Sequence, residues 1–239
     1  MTTPGKNSLT DATVLITGAN GGLGREFVHQ ALDRGAAKVY ATARSPREWT
    51  DPRIVALRLD IDSSGSIEAA ASQASDTTIL INNAGISDSG QPALTVSLDD
   101  VRRVFETNVF AQLAVTQAFA PVLAGNGGGA VVNIHSALSW LGTGPYAATK
   151  AALWSLSNAL RVELLGQGTH LVGAHLGYTD TPMTAGLDVP KEDPAVIVAA
   201  IFDGLEAGDF EVLADQTSRN LKAGLSAPLE ALYPALERA

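Results

Sequence analysis

The chain has 239 residues and no cysteine. That absence excludes disulfides, thiolate catalysis and cysteine-ligated metals, and it suits a reducing compartment. Long hydrophobic runs are missing too. Met1 to Asp11 is polar, and the first apolar stretch, Ala12–Thr17 ("ATVLIT"), falls well short of the roughly 18 residues a membrane span requires. Positive charge is scarce: 16 Lys and Arg stand against 25 Asp and Glu, giving a net charge of −9 with no basic tract. Nucleic acid and anionic membrane surfaces are therefore poor partners. The four histidines, His29, His135, His170 and His175, show no metal-ligand spacing, so no metal is expected. A soluble, cytoplasmic protein is the expectation.

What the chain does have is alternation. Short, β-branched-rich runs recur at Thr13–Thr17, Lys38–Ala43, Ile54–Leu59, Thr78–Asn82, Ala130–His135, His170–His175 and Phe210–Ala214. They are almost uniformly apolar, as parallel strands covered on both faces must be. Helical patterns fall between them, at Gly22–Arg34, Ser66–Ala74, Leu98–Leu123, Pro145–Leu165 and Pro194–Glu206. This predicts βαβ units and a Rossmann-type, doubly wound parallel α/β sheet of about seven strands, with helices on both faces. No repeat or linker divides the chain, so residues 1–239 read as one domain.

Three stretches carry chemistry. The first strand runs into "TGANGGLG", Thr17–Gly24, and a helix follows at once. Glycines at 18, 22 and 24 permit a tight turn and close backbone approach, and they leave helix N–H groups aimed at a pyrophosphate. Its place between a strand and a helix favours a dinucleotide site. The second stretch is "SALSWLGTGPYAATKAAL", Ser136–Leu153, in which Tyr146 and Lys150 lie one helical turn apart on the same face. A free phenol, with a pKa near 10, is a poor base at neutral pH. An ammonium about 4 Å away, at an effective dielectric of ~20, is worth roughly 4 kcal/mol, or about three pK units. At the end of the second strand ("VYATARSPR"), Ala43 and Arg44 stand where an acidic residue would bind a free ribose 2′-hydroxyl. Arg44 suits a 2′-phosphate instead, which favours NADP(H) over NAD(H).

These motifs, with "NNAG" at Asn82–Gly85, Asn108 and Ser136, occur in the order seen in short-chain dehydrogenases/reductases, which the chain resembles from about residue 12 to 215. The resemblance implies that Tyr146 donates the proton in carbonyl reduction and accepts it in alcohol oxidation. By the same resemblance Lys150 supports the phenolate and binds the nicotinamide ribose. Ser136 holds the substrate oxygen, and Asn108 fixes a water relay behind Lys150. Cofactor contacts are implied for Gly18, Asn20, Gly21, Gly22, Leu23 and Gly24, for Asp60 and Ile61 at the adenine, for Asn83, Ala84 and Gly85, and for Thr179 and Thr181 at the carboxamide. Two departures stand out. Leu176-Gly177 replaces the usual Pro-Gly, which leaves that backbone less constrained. Ser136 precedes Tyr146 by fewer residues than is usual, making Ser139 a second, weaker candidate for the serine role.

The pocket is expected from 86–96, 137–145 and 178–191. Leu138, Trp140, Leu141, Tyr178, Met183 and Leu187 make it apolar and favour a hydrophobic ketone, aldehyde or secondary alcohol. Excess apolar surface on the two long helices suggests a homodimer or homotetramer. The alternative to an enzyme is a non-catalytic dinucleotide-binding regulator on the same fold.

Overall fold

The computed structural model describes residues 7–87 and 91–238. Seven strands form one sheet: β1 (Thr13–Ile16), β2 (Lys38–Ala43), β3 (Ile54–Arg58), β4 (Ile79–Asn82), β5 (Gly129–Ile134), β6 (Thr169–His175) and β7 (Glu211–Leu213). They run parallel in the order β3-β2-β1-β4-β5-β6-β7. The chain therefore leaves β1 in one direction and returns beyond it at β4. Crevices at such a reversal, outside the carboxyl ends of the strands, are where ligands bind in doubly wound sheets.

Side-chain alternation divides the core. Val14 and Ile16 of β1 join Phe27 and Val28 of α1 (Gly22–Asp33) and Ile201 and Phe202 of α6 (Pro194–Ala207). Leu15 points the other way, to Phe119 and Leu123 of α4 (Gln112–Gly125) and Leu164 of α5 (Pro145–Leu165). Phe27 and Phe202 meet edge-to-face with centroids 5.3 Å apart. Each such side chain, fully buried, is worth about 1.5–3 kcal/mol.

The strands agree with the predicted runs to within a residue at either end, and the Pro145–Leu165 helix matches fully. The window Leu98–Leu123 differs in kind. It is a 28-residue helix, Leu98–Gly125, made of α3 (Leu98–Phe105), a π-helical segment (Glu106–Ala111) and α4. By length and composition it could span a membrane. Here Val104, Val115, Phe119 and Leu123 are buried, the last three in the core on the Leu15 side of the sheet. Two further helices, α7 (Gln216–Gly224) and α8 (Leu229–Leu232), were not expected. The segment "QTSRNLKAG" has no apolar stripe, and α7 starts because Asp215 caps it, its Oδ1 accepting the Ser218 N–H at 2.7 Å. A short α2 (Ser64–Gln73) completes the helices used below.

Candidate active site

The glycine-rich turn leaves β1 and enters α1 directly. A Cβ on Gly24 would lie 2.1 Å from the Gly18 carbonyl oxygen, so no larger residue fits there. Gly22 has φ +51° and faces the Thr181 side chain across the cleft. Gly21, the N-cap of α1, offers no side chain to the first N–H groups. An uncapped helix end beside such a turn suits a pyrophosphate. The turn is stitched to its neighbours. Thr17 Oγ1 accepts the N–H groups of Asn83 and Ala84, both at 3.0 Å, and Asn83 Nδ2 donates to Thr17 O at 2.8 Å. Asn20 Nδ2 donates to Ser45 O at 2.7 Å while its Oδ1 accepts the Arg47 N–H, bracing the loop that presents the exposed Arg44. Leu23 packs partly on the core. At the next strand end, the Asp60 N–H donates to Ser66 Oγ at 2.9 Å, and a cavity of about 380 Å³ opens beside Asp60, Arg58 and Ser63.

Beside this cleft lie the groups suited to proton transfer. Lys150 is only 4 % exposed; its ammonium donates to the Ile134 carbonyl at 2.8 Å and sits 5.7 Å from the Tyr146 ring centre. Burial lowers its pKa to about 8. Gly85 permits this: a Cβ there would stand 3.1 Å from Asn108 Oδ1 and 3.9 Å from Lys150 Nζ. Asn108 lies in the π-helical segment, an irregularity frequent at functional sites. Its side chain clamps Ile86, accepting the N–H and donating to the carbonyl, both at 2.9 Å, and it also donates to Thr149 Oγ1 at 3.1 Å. Ser136 follows β5. Its N–H donates to Ser139 Oγ at 3.4 Å and its Oγ accepts the Leu138 N–H at 3.1 Å. Ser139 therefore braces the Ser136 backbone.

On the substrate side, Leu138 and Leu141 are partly open, and Tyr178, Met183 and Leu187 are 43–49 % exposed. Three side chains sit differently from what was expected. Trp140 is not a pocket wall: it is 6 % exposed and its indole stacks on His175 at 4.0 Å, because that apolar loop residue turns inward beneath the loop. The Ile61 side chain joins the buried core beside Leu59 and Ile67, so it offers no side chain to an adenine. Thr179 is 3 % exposed, with its hydroxyl donating to the Gly177 carbonyl, so it also turns from the cleft; Thr181 is the threonine that faces it. The Gly177 backbone is tied down as well, its N–H donating to the Asp215 carboxylate. Part of the expected 86–96 pocket segment, residues 88–90, lies outside the described residues.

Sequence reasoning missed a cluster behind Ser136. His175, His135, Trp140 and Trp154 pack together, and Glu211 joins them by accepting from Trp154 Nε1 at 3.2 Å and pairing with Lys222 at 2.7 Å. A histidine closing the apolar run Leu171–Ala174 was the available signal. Nothing in spacing links it to Glu211 or Lys222. Among the described residues no cluster of metal-binding side chains occurs.

A sheet reversal, a glycine cradle ending in an open helix terminus, and a buried lysine beside a tyrosine together define an oxidoreductase that uses a nicotinamide dinucleotide. The sequence matches the short chain dehydrogenase family over residues 12–191, and the chain belongs to that family. It is 32% identical over 221 residues to a ketoacyl reductase of Nostoc sp., covering 81% of this chain and 76% of that one. A short-chain dehydrogenase/reductase of Pestalotiopsis microspora is 34% identical over 228 residues, 90% of this chain and 80% of the relative. A short chain dehydrogenase from Burkholderia cenocepacia J2315, solved in complex with NADP, superposes with a TM-score of 0.91 at 33% identity, covering 96% of this chain and 98% of that chain.

Proposed function

We propose that the protein is an NADP(H)-dependent carbonyl reductase or alcohol dehydrogenase acting on hydrophobic ketones, aldehydes or secondary alcohols. The observation that carries this reading is Lys150, buried to 4 % exposure with its ammonium fixed at 2.8 Å on the Ile134 carbonyl beside the Tyr146 ring. The 18–24 turn and the 83–85 strand exit would hold the dinucleotide, which would supply the hydride in reduction or take it in oxidation. Tyr146 gives its phenolic proton to the carbonyl oxygen in reduction and takes it back in oxidation. Lys150 favours the phenolate by charge, and Ser136 Oγ, which keeps its own hydrogen to donate, holds the substrate oxygen.

NADP(H) preference is supported by the exposed Arg44 on a braced loop and by the NADP-bound Burkholderia structure. An apolar substrate is supported by Tyr178, Met183 and Leu187. Association into a dimer or tetramer is supported by Phe110, Val162 and Leu165, 54–71 % exposed on the two long helices. The test is oxidation of NADPH and NADH by purified protein over a panel of aryl and alkyl ketones and aldehydes. Turnover should fall at least about 100-fold in Tyr146→Phe, and Arg44→Ala should erode the preference for NADPH. Tight dinucleotide binding without turnover of any compound would defeat the reductase reading in favour of a binding protein.

A further inference from the structure

Ser136 can serve a carbonyl oxygen only if its Oγ stays at one place over the cleft. Its N–H and Oγ are held locally, by Ser139 Oγ and the Leu138 N–H. Its carbonyl is held from elsewhere, 3.1 Å from Nδ1 of His175 at the end of β6. A carbonyl can only accept, so the His175 proton resides on Nδ1. The ring is fully buried and stacks on both Trp140 (4.0 Å, 18°) and His135 (4.8 Å, 29°). Its far nitrogen, Nε2, lies 3.5 Å from the Glu211 carboxylate. Glu211 is in turn fixed by the Trp154 indole and the Lys222 ammonium, and Lys222 also lies over the Trp140 ring at 5.0 Å.

We propose that His175, its ring held by an aromatic stack that Glu211 braces through Trp154 and Lys222, is a positioning residue for Ser136, fixing through one hydrogen bond the serine that meets the substrate oxygen. A purely apolar core at this point would need none of this. A fully buried imidazole costs desolvation, and two tryptophans, a carboxylate and an ammonium from α5, α7, β7 and the loop itself converge to hold its ring plane. The energy is spent on direction, and the direction is that of the Ser136 carbonyl. Contact with His175 and the Lys222 ammonium keeps the Glu211 carboxylate ionised, its pKa held down at about 2, while burial keeps the neighbouring His135 uncharged by pushing its pKa well below the usual range.

The proposal rests on the reductase reading, and three variants separate the two. With a ketone that the wild-type protein reduces, His175→Phe keeps the ring and loses the donor. Its kcat should fall about 10- to 100-fold, with the NADPH Kd within about twofold of wild type. His175→Asn places an amide nitrogen where Nδ1 was, and it should recover most of that loss. Glu211→Gln, at the edge of the cluster, should lower kcat about threefold with the same unchanged Kd. A simple packing role predicts that Asn is no better than Phe, and that result, or full activity in Glu211→Gln, overturns the proposal. Independently of turnover, long-range 15N spectra of the unliganded protein should show the His175 Nδ1 protonated; a bare Nδ1 overturns the proposal. A wild-type protein that reduces no carbonyl compound would defeat the reductase reading alone, and the Nδ1 signal would still decide whether His175 holds Ser136.

Discussion

Around Thr17–Gly24, main-chain atoms and short polar side chains hold one another: Thr17 bonds to Asn83 and Ala84, Asn20 to the 45–47 loop, and Gly24 lies against the Gly18 carbonyl. Around Ser136, large side chains from β6, β7, α5 and α7 do the holding, through His175, Glu211, Trp154 and Lys222. The two ends of one cleft are thus rigid for different reasons. The dinucleotide end is set by what cannot be added, since a single methyl group collides with backbone. The Ser136 end is set by what must not be removed, since each side chain is oriented by the next.

That contrast can be broken by experiment. Gly24→Ala should have the largest effect, because the new methyl would meet the Gly18 oxygen at 2.1 Å and force the turn open. Dinucleotide affinity should drop at least about 100-fold, near 2.7 kcal/mol, in a fluorescence titration; an unchanged affinity would show the turn to be adaptable. Lys150→Met probes the boundary between the two ends. The folded chain gives up the Lys150 proton at about 8 and the unfolded chain near 10.5, so the unfolded state holds more protons between those values. Wild-type stability should therefore rise across that window relative to Lys150→Met, by up to about 3 kcal/mol. Denaturant melts at pH 7.5 and 10.5 would check the sign.

Glu211→Gln should act in the opposite direction on the pH axis and more weakly. The carboxylate is held at about 2 against an ordinary value of 4.5, so its contribution is complete above pH 4.5 and disappears as pH falls toward 2. The melting-temperature gap between wild type and Glu211→Gln should be present at pH 6 and close by pH 2.5; a constant gap would mean that packing, not charge, holds this end. Tyr233→Phe should do least. The Tyr233 oxygen accepts the Gly142 N–H at 2.7 Å, joining the C-terminal segment to the Ser136–Tyr146 loop, but Gly142 is exposed and water can replace it. A loss below about 1 kcal/mol is expected by thermal melting.

Residues set by local rules could be read directly. Lys38–Ala43 is a bounded β-branched run, and Pro145 opens a helix whose length the pattern gives in full. Gly18, Gly22 and Gly24 announce a turn because only glycine fits there, and the Tyr146–Lys150 interval announces a shared face because helical pitch fixes it. The difficulty came where a residue type permits two orientations. Trp140 and Leu141 are neighbouring apolar loop residues, yet one is stacked beneath the loop and the other is partly open. The side chains of Ile61 and Thr179 turn inward, away from the cleft at the strand ends. The π-helical segment around Asn108 has no sequence periodicity of its own, and α7 depends on one aspartate cap.

The sequence by itself determined the strand–helix alternation, the glycine cradle and the tyrosine–lysine pair, because each rests on backbone geometry repeating over a few residues. Only the tertiary structure decided that Trp140 faces inward onto His175, and that His175 meets Glu211, which pairs in turn with Lys222. Those contacts join segments far apart in the chain, and their partners are selected by how sheet and helices pack rather than by spacing along it.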